Sequence, residues 1–218
     1  MSEQRKEEPK LKVVTRGYVS QRGPFKINEN PRVNQPNPDA PINEDGICKY
    51  FEHAALTEKY GEDATREKIV SMAKAFRGGA ATTPLFAQGG ENGMNLVHVW
   101  FGPNFELFRH SHPRYGDCLY YVVAGELTLG KRRLGPGSTF FLPNGMPYKY
   151  TAGPAGVELL EFRAGGGVDE APGMRLDELS LDAIDKLVDC YEENRDNWKA
   201  PENIGDTAFV QRELDLGL

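Results

Sequence analysis

Positive charge is scarce in this chain. Its 26 Lys and Arg are outnumbered by 32 Asp and Glu, leaving a formal net charge of −6. A nucleic-acid surface needs a basic stripe or patch to hold phosphates. The densest basic cluster here is Lys131-Arg132-Arg133, which reads as the solvated tip of a hairpin. No helix-turn-helix segment with a basic recognition helix is present either, so nucleic acid is not an expected partner. No apolar run approaches the roughly 20 residues that cross a bilayer, so no membrane is expected. Cysteine is rare and odd in number, at Cys48, Cys118 and Cys190. That suits reduced thiols in a cytoplasmic protein better than a disulfide framework. The opening MSEQRKEEPK has no apolar stretch of the secretory kind, and a cytoplasmic location is expected. Also missing are a phosphate-cradling Walker loop, a Gly-x-Gly-x-x-Gly dinucleotide turn and a Gly-x-Ser-x-Gly elbow.

Hydrophobic residues make up 39% of the 218, with 24 Gly and 15 Pro. A real core interrupted by many turns follows. Residues 1–10 are charged and expected to be disordered, and residues 11–27 hold β-like runs such as Leu11-Lys12-Val13-Val14. Pro31, Pro36, Pro38 and Pro41 forbid a regular helix or central strand over 28–46. This stretch reads as an extended arm lying on its own barrel or on a partner's. Ile69, Met72, Ala73 and Phe76 share one face of a helix predicted over 63–77, with Gly78 and Gly79 as its stop. A second helix is predicted over 181–197, capped by Ser180 and facing inward with Leu181, Ile184, Leu187, Val188 and Tyr191. Between them, seven short strand-like runs alternate with Gly and Pro turns, the pattern of a sandwich or barrel. The chain divides into an N-terminal extension over 1–91, a barrel core over 92–163 and a C-terminal segment over 164–218.

Two motifs sit in the barrel core. One runs Gly102-Pro-Asn-Phe-Glu-Leu-Phe-Arg-His110-Ser-His112-Pro-Arg-Tyr-Gly-Asp117-Cys118, ending at Gly125; the other is Gly137-Ser-Thr-Phe-Phe-Leu-Pro143-Asn-Gly145-Met-Pro-Tyr148. Together they resemble the two motifs of the cupin superfamily over about a third of the chain. The resemblance implies a mostly β fold, a single double-stranded β-helix or jelly-roll barrel. It does not fix a reaction, since cupins include oxygenases, lyases, isomerases, binding proteins and storage proteins. Single-barrel members commonly pair, so a homodimer is the implied assembly, with residues 11–46 suited to a neighbour's edge strand.

Residues two apart on a strand face the same side. His110 and His112 therefore point together and form a half-site for a divalent first-row metal such as Fe, Mn, Ni or Zn. Without metal they are two imidazoles hydrogen-bonded in a polar pocket. The family's third histidine is replaced by Tyr148, a candidate acid or substrate contact. Its glutamate is replaced by Asp117, counting from His112, or by Cys118, counting back from Gly125, with Cys118 in register and Asp117 nearer the rim. Trp100, Phe108, Tyr120, Phe140 and Tyr150 are candidate pocket linings. They suit a small, partly hydrophobic or aromatic organic substrate. His98 is a weaker candidate for the coordination gap. Three functions remain open: a metal-dependent enzyme, a metal-free one using imidazole–phenol proton transfer, and a non-catalytic binding protein.

Overall fold

The computed structural model describes residues 27–88, 93–165, 172–178 and 180–217. The β-like runs read in residues 11–26 and the disorder expected for 1–10 lie outside them. Residues 27–43 cross the chain's own surface. The Val33 N–H donates to the Glu202 carbonyl, Asn34 N–H to the Thr83 hydroxyl, and Asn37 N–H to the Arg77 carbonyl. The described part of the arm thus spends these bonds within its own chain.

Helix α1 (Glu44–Tyr50), strand β1 (Phe51–Glu52), and helices α2 (Ala54–Tyr60) and α3 (Glu62–Gly79) follow. The Asn43 side chain caps α1 by accepting from Gly46 N–H. The expected stripe of α3 is inward, with Ile69, Met72 and Ala73 buried. The helix takes in Gly78 and ends at Gly79, two residues past the predicted end. Their role is clearance: a Cβ on Gly78 would lie 2.2 Å from the Tyr191 ring, and one on Gly79 2.2 Å from the Trp198 ring.

Strands β2 (Ala80–Ala87), β3 (Asn95–Phe101), β4 (His110–Ser111), β5 (Cys118–Leu129), β6 (Arg132–Leu134), β7 (Thr139–Leu142), β8 (Thr151–Arg163) and β9 (Met174–Leu176) build the body. A six-stranded antiparallel sheet runs β2-β3-β8-β5-β6, with β7 also paired to β5. A three-stranded sheet runs β1-β9-β4. Residues 105–110 and 148–152 bridge the two by exchanging backbone bonds, among them His110 N–H to the Tyr148 carbonyl and Tyr148 N–H to the His110 carbonyl. The result is a jelly-roll barrel that is not fully closed.

The strand β2 extends the barrel sheet back to Ala80, ahead of the boundary at 92 that the motifs suggest. The run through Gly125 is one strand and not a turn. Gly125 has φ 67° and marks a break in register, and a Cβ there would sit 2.2 Å from the Gly156 carbonyl oxygen. Only glycine fits such a bulge.

Helices α4 (Asp182–Asn194) and α5 (Thr207–Leu216) pack outside. Ile184, Leu187 and Cys190 of α4 are buried, and Lys68 of α3 pairs with Asp185. Leu181 holds the N-cap position of α4 with no side-chain bond, so Ser180 does not cap it.

Candidate functional site

The period of two along each strand decides which residues meet inside the barrel. On β5 it turns Cys118, Tyr120 and Val122 inward, opposite Arg163, Glu161 and Leu159 of β8. His110 and His112 enter from the smaller sheet, and Tyr148 lies beside His110 through their backbone bridge. The imidazoles are brought together: His110 Nε2 and His112 Nε2 are 3.2 Å apart, and both side chains are buried. The Tyr148 hydroxyl lies 3.3 Å from His112 Nε2 and 2.8 Å from the Tyr120 hydroxyl.

A proton count defines this cluster. His110 Nδ1 lies 3.0 Å from the Phe108 carbonyl oxygen, and His112 Nδ1 lies 3.2 Å from the Gly173 carbonyl oxygen. A carbonyl only accepts, so each Nδ1 carries the hydrogen and donates it. A neutral imidazole has only one N–H. Both Nε2 atoms are then bare lone pairs facing each other. Protonation is a costly way to relieve this. Burial holds His110 down to about 4 and His112 well below the usual histidine range, helped in the second case by His110 and Arg163. A cation between them relieves it directly. Imidazoles whose Nδ1–H is tied to a carbonyl are also the tautomer that metals bind. The spacing is one that two nitrogens each about 2 Å from a single ion adopt.

The donor set therefore fits a divalent metal held by His110 and His112. It is an incomplete cage: among the described residues no group of three His, Cys, Asp or Glu converges. Tyr148 brings a further oxygen within 3.3 Å of His112 Nε2. Burial, then Glu161, pushes its phenol well above the ordinary tyrosine range, as it does for Tyr120. Both hydroxyls keep their protons, and since His112 Nε2 carries no hydrogen the donor chain runs from Tyr120 to Tyr148 to His112.

The two candidates for the glutamate position part company. Cys118 is buried and lines the same small cavity as His112, Tyr120 and Tyr148. Burial, then Glu161, pushes its thiol up to about 12, so it is not a thiolate at neutral pH. Asp117 is exposed; its carboxylate accepts from Asn144 N–H at 2.9 Å and so fixes the turn at Pro143. It does not reach the cluster.

Of the expected linings, Phe140 stacks on Tyr120 at 4.6 Å, and Tyr150 packs on Tyr148 and Phe140 with its hydroxyl buried and unbonded. Phe108 is wedged between His110 and Phe76 of α3. Trp100 is a correction. It lies on the other face of β3, two residues from His98, and His98 Nε2 donates to the Glu158 carboxylate at 2.8 Å on that face. The whole of Val97–Phe101 is buried, because α5 and the arm cover the outer face, so burial alone gave no parity to read.

Sequence reasoning missed the charged pair Glu161–Arg163 and its stack. Arg163 bonds Glu161 and lies over the Tyr115 ring at 4.2 Å, and Tyr115 stacks on His112 at 4.3 Å. The available signal was the alternation Val157-x-Leu159-x-Glu161-x-Arg163, which puts two charges in the register of a buried face.

The cavity touching His112, Cys118, Tyr120 and Tyr148 is only about 10 Å³, and Gly116, Leu142, Pro143, Gly145 and Met146 complete its lining. A groove of about 730 Å³ shares Leu142 and Tyr148 with it and extends past Phe108, Arg109, Leu129, Lys149, Tyr150 and Lys186.

No family model and no curated protein matches this chain. Solved structures do show partial likeness. The polyketide cyclase RemF from Streptomyces resistomycificus is 24% identical, over 49% of this chain and 76% of that one, with a TM-score of 0.38. An RmlC-like cupin from Shewanella frigidimarina is 24% identical, over 40% and 78%, with a TM-score of 0.33. KdgF from Halomonas sp. is 25% identical, over 39% and 79%, with a TM-score of 0.33. The two glycine-framed motifs, the jelly-roll pairing of their strands and the inward His110-x-His112 pair make this a cupin-fold chain.

Proposed function

We propose that the barrel interior is the active site of a metal-dependent cupin enzyme. Its substrate is a small, partly hydrophobic or aromatic organic molecule, and its chemistry is of the oxygenase, lyase or isomerase kind. The observation that carries this reading is the pair of unprotonated Nε2 atoms 3.2 Å apart, each with its Nδ1–H committed to a carbonyl. His110 and His112 would hold the ion. When bound, it supplies Lewis-acid polarisation or a redox centre.

The remaining work falls to the chain's own groups. Tyr148 holds a proton 3.3 Å from His112 Nε2, and Tyr120, 2.8 Å behind it, can replace that proton. A hydroxyl so placed serves as a general acid. The aromatic wall of Tyr120, Phe140 and Tyr150 keeps water away. The small cavity has room for an ion or one water, so the substrate body belongs in the 730 Å³ groove that reaches Tyr148 from outside. The same phenol–imidazole chain supports a second reading, metal-free proton transfer between Tyr148 and His112.

Metal titration separates the two readings. Native protein and a Tyr148→Phe variant should bind Mn or Zn equally, while His110→Ala should lose at least tenfold in affinity. If His110→Ala binds as tightly as native protein, the metal-dependent reading fails and the proton-transfer reading replaces it.

A further inference from the structure

The two imidazoles of the site are oriented by different means. His110 Nδ1 is held by the Phe108 carbonyl, two residues back along the chain, whereas His112 Nδ1 relies on the Gly173 carbonyl, 61 residues away. Gly173 is itself held from the N-terminal extension. Its N–H donates to the Tyr50 carbonyl at 2.9 Å, and from there β9 runs parallel to β1, with Phe51 beside Met174 and Glu52 beside Arg175. The His112 ring also lies flat on Tyr115, with 4.3 Å between centroids and 9° between planes. The Tyr115 hydroxyl in turn bonds the Tyr50 hydroxyl at 2.9 Å. Tyr50, the last residue of α1, therefore meets both supports of His112: its carbonyl holds Gly173 and its hydroxyl holds Tyr115. Position 173 needs glycine for room, since a Cβ there would lie 2.1 Å from the Tyr50 ring. Burial, then Tyr115, pushes the Tyr50 phenol above the ordinary tyrosine range, so the hydroxyl pair has a proton to share at neutral pH.

We propose that Tyr50 is the positioning residue of His112. It fixes both the carbonyl that takes the Nδ1 hydrogen and the ring on which the imidazole lies, and so sets the tautomer and the plane in which His112 Nε2 faces His110. The use of that orientation in catalysis rests on the metal reading above: a ligand imidazole whose other nitrogen loses its partner binds metal about 10- to 100-fold less tightly. Arg163 lies over Tyr115 at 4.2 Å and so braces one of the two supports; Tyr50 braces both. The arrangement is also selective. The partner of His110 is local to its own segment, so a disturbance at Tyr50 falls on His112 and spares His110. The N-terminal extension is then part of the site, although the two motifs lie wholly outside it.

The test compares the native full chain with Tyr50→Ala, Gly173→Ala and Tyr50→Phe. Each is read twice: by nitrogen NMR of metal-free protein labelled in histidine, which reports the tautomer of each ring, and by Mn titration. Native His112 should show one neutral tautomer, with its hydrogen on Nδ1. Tyr50→Ala removes the ring and its hydroxyl, and Gly173→Ala drives a new Cβ against that ring. Both should leave His112 as a mixture of tautomers, keep His110 as it was, and weaken Mn binding about 10- to 100-fold. Tyr50→Phe keeps the ring and removes one hydrogen bond. It should keep the native circular dichroism spectrum and lose about two- to tenfold in Mn affinity, and it carries the test if the larger changes unfold the chain. Among variants with the native spectrum, three results overturn the proposal: an unchanged His112 tautomer, a Mn affinity equal to that of a native protein that binds Mn, or His110 disturbed as much as His112. If native protein takes up no Mn at about 1 mM while His112 alone changes tautomer in the variants, the metal reading fails and the positioning role stands.

Discussion

At position 148 a phenol stands where the cupin motif has an imidazole, and it differs by keeping its proton at neutral pH. Burial raises its pKa further, which makes it a donor and a poor neutral ligand. Tyr148→His should therefore add a third imidazole and tighten Mn or Zn binding by at least tenfold, read by calorimetric titration. Tyr148→Phe should leave metal affinity unchanged and, once a substrate is in hand, lower turnover about 10²–10⁴-fold. Equal metal affinity in the Tyr148→His variant would place this side chain away from the ion. The sequence made His110, His112 and Tyr148 legible because each is fixed by short spacing: two residues along a strand, or the Pro143-x-Gly145-x-x-Tyr148 turn. Glu161 and Arg163 were not legible. They reach Tyr120 and Cys118 through a pairing of β8 with β5 about forty residues away in the chain, and no local pattern encodes that register. The choice between Asp117 and Cys118 needed the same information, and the pairing turned Cys118 inward and left Asp117 to brace Asn144.

Among the elements, α3 and α5 depend most on single residues. Gly78 and Gly79 end α3 in sequence logic, but in the fold they let Tyr191 and Trp198 lie against its last turn. Helical propensity would favour Gly79→Ala by about 1 kcal/mol. The Trp198 and Phe105 rings, within 2.6 Å of the new Cβ, should reverse that sign and destabilise by about 1–3 kcal/mol. Denaturant unfolding measures it, and a stabilised variant would contradict the clearance role. Helix α5 escaped the sequence reading; its apolar residues Phe209, Val210, Leu214 and Leu216 are exposed, and Thr207 alone of its residues is buried. It is held from below by Glu158, whose carboxylate takes bonds from Gly205 N–H, Thr207 N–H and His98. Burial works to raise the pKa of Glu158, and these bonds outweigh it and hold the carboxyl below its usual value. A carboxyl depressed in the folded state contributes stability that is complete above its unfolded pKa, near 4.3. That stability drains away as pH falls through the lower folded value. Glu158→Gln should cost about 1.5–3 kcal/mol at pH 7 and flatten the loss of Tm below about pH 4.5. A variant with the native acid profile would show that another group governs it.

For the molecule as a whole, the two motifs gave the barrel, and hydrophobic period gave the two large helices within a few residues of their ends. What they did not give was how the flanking segments close the outside. The arm and α5 cover one half of the large sheet and leave Phe162, Leu119 and Phe141 exposed on the other. That arrangement rests on contacts such as Val33 with Glu202, nearly the length of the chain apart. The function reading depends on one property of the barrel: it buries two imidazoles with their Nε2 lone pairs turned on each other. The most direct measurement is metal content by elemental analysis of protein purified without a chelating tag, comparing the native chain with the His110→Ala/His112→Ala variant. The account predicts a first-row divalent metal in the native protein at close to one equivalent, and less than about a tenth of that in the variant, with both sharing the same circular dichroism spectrum. Equal metal content in the two proteins would contradict it and place the ion elsewhere.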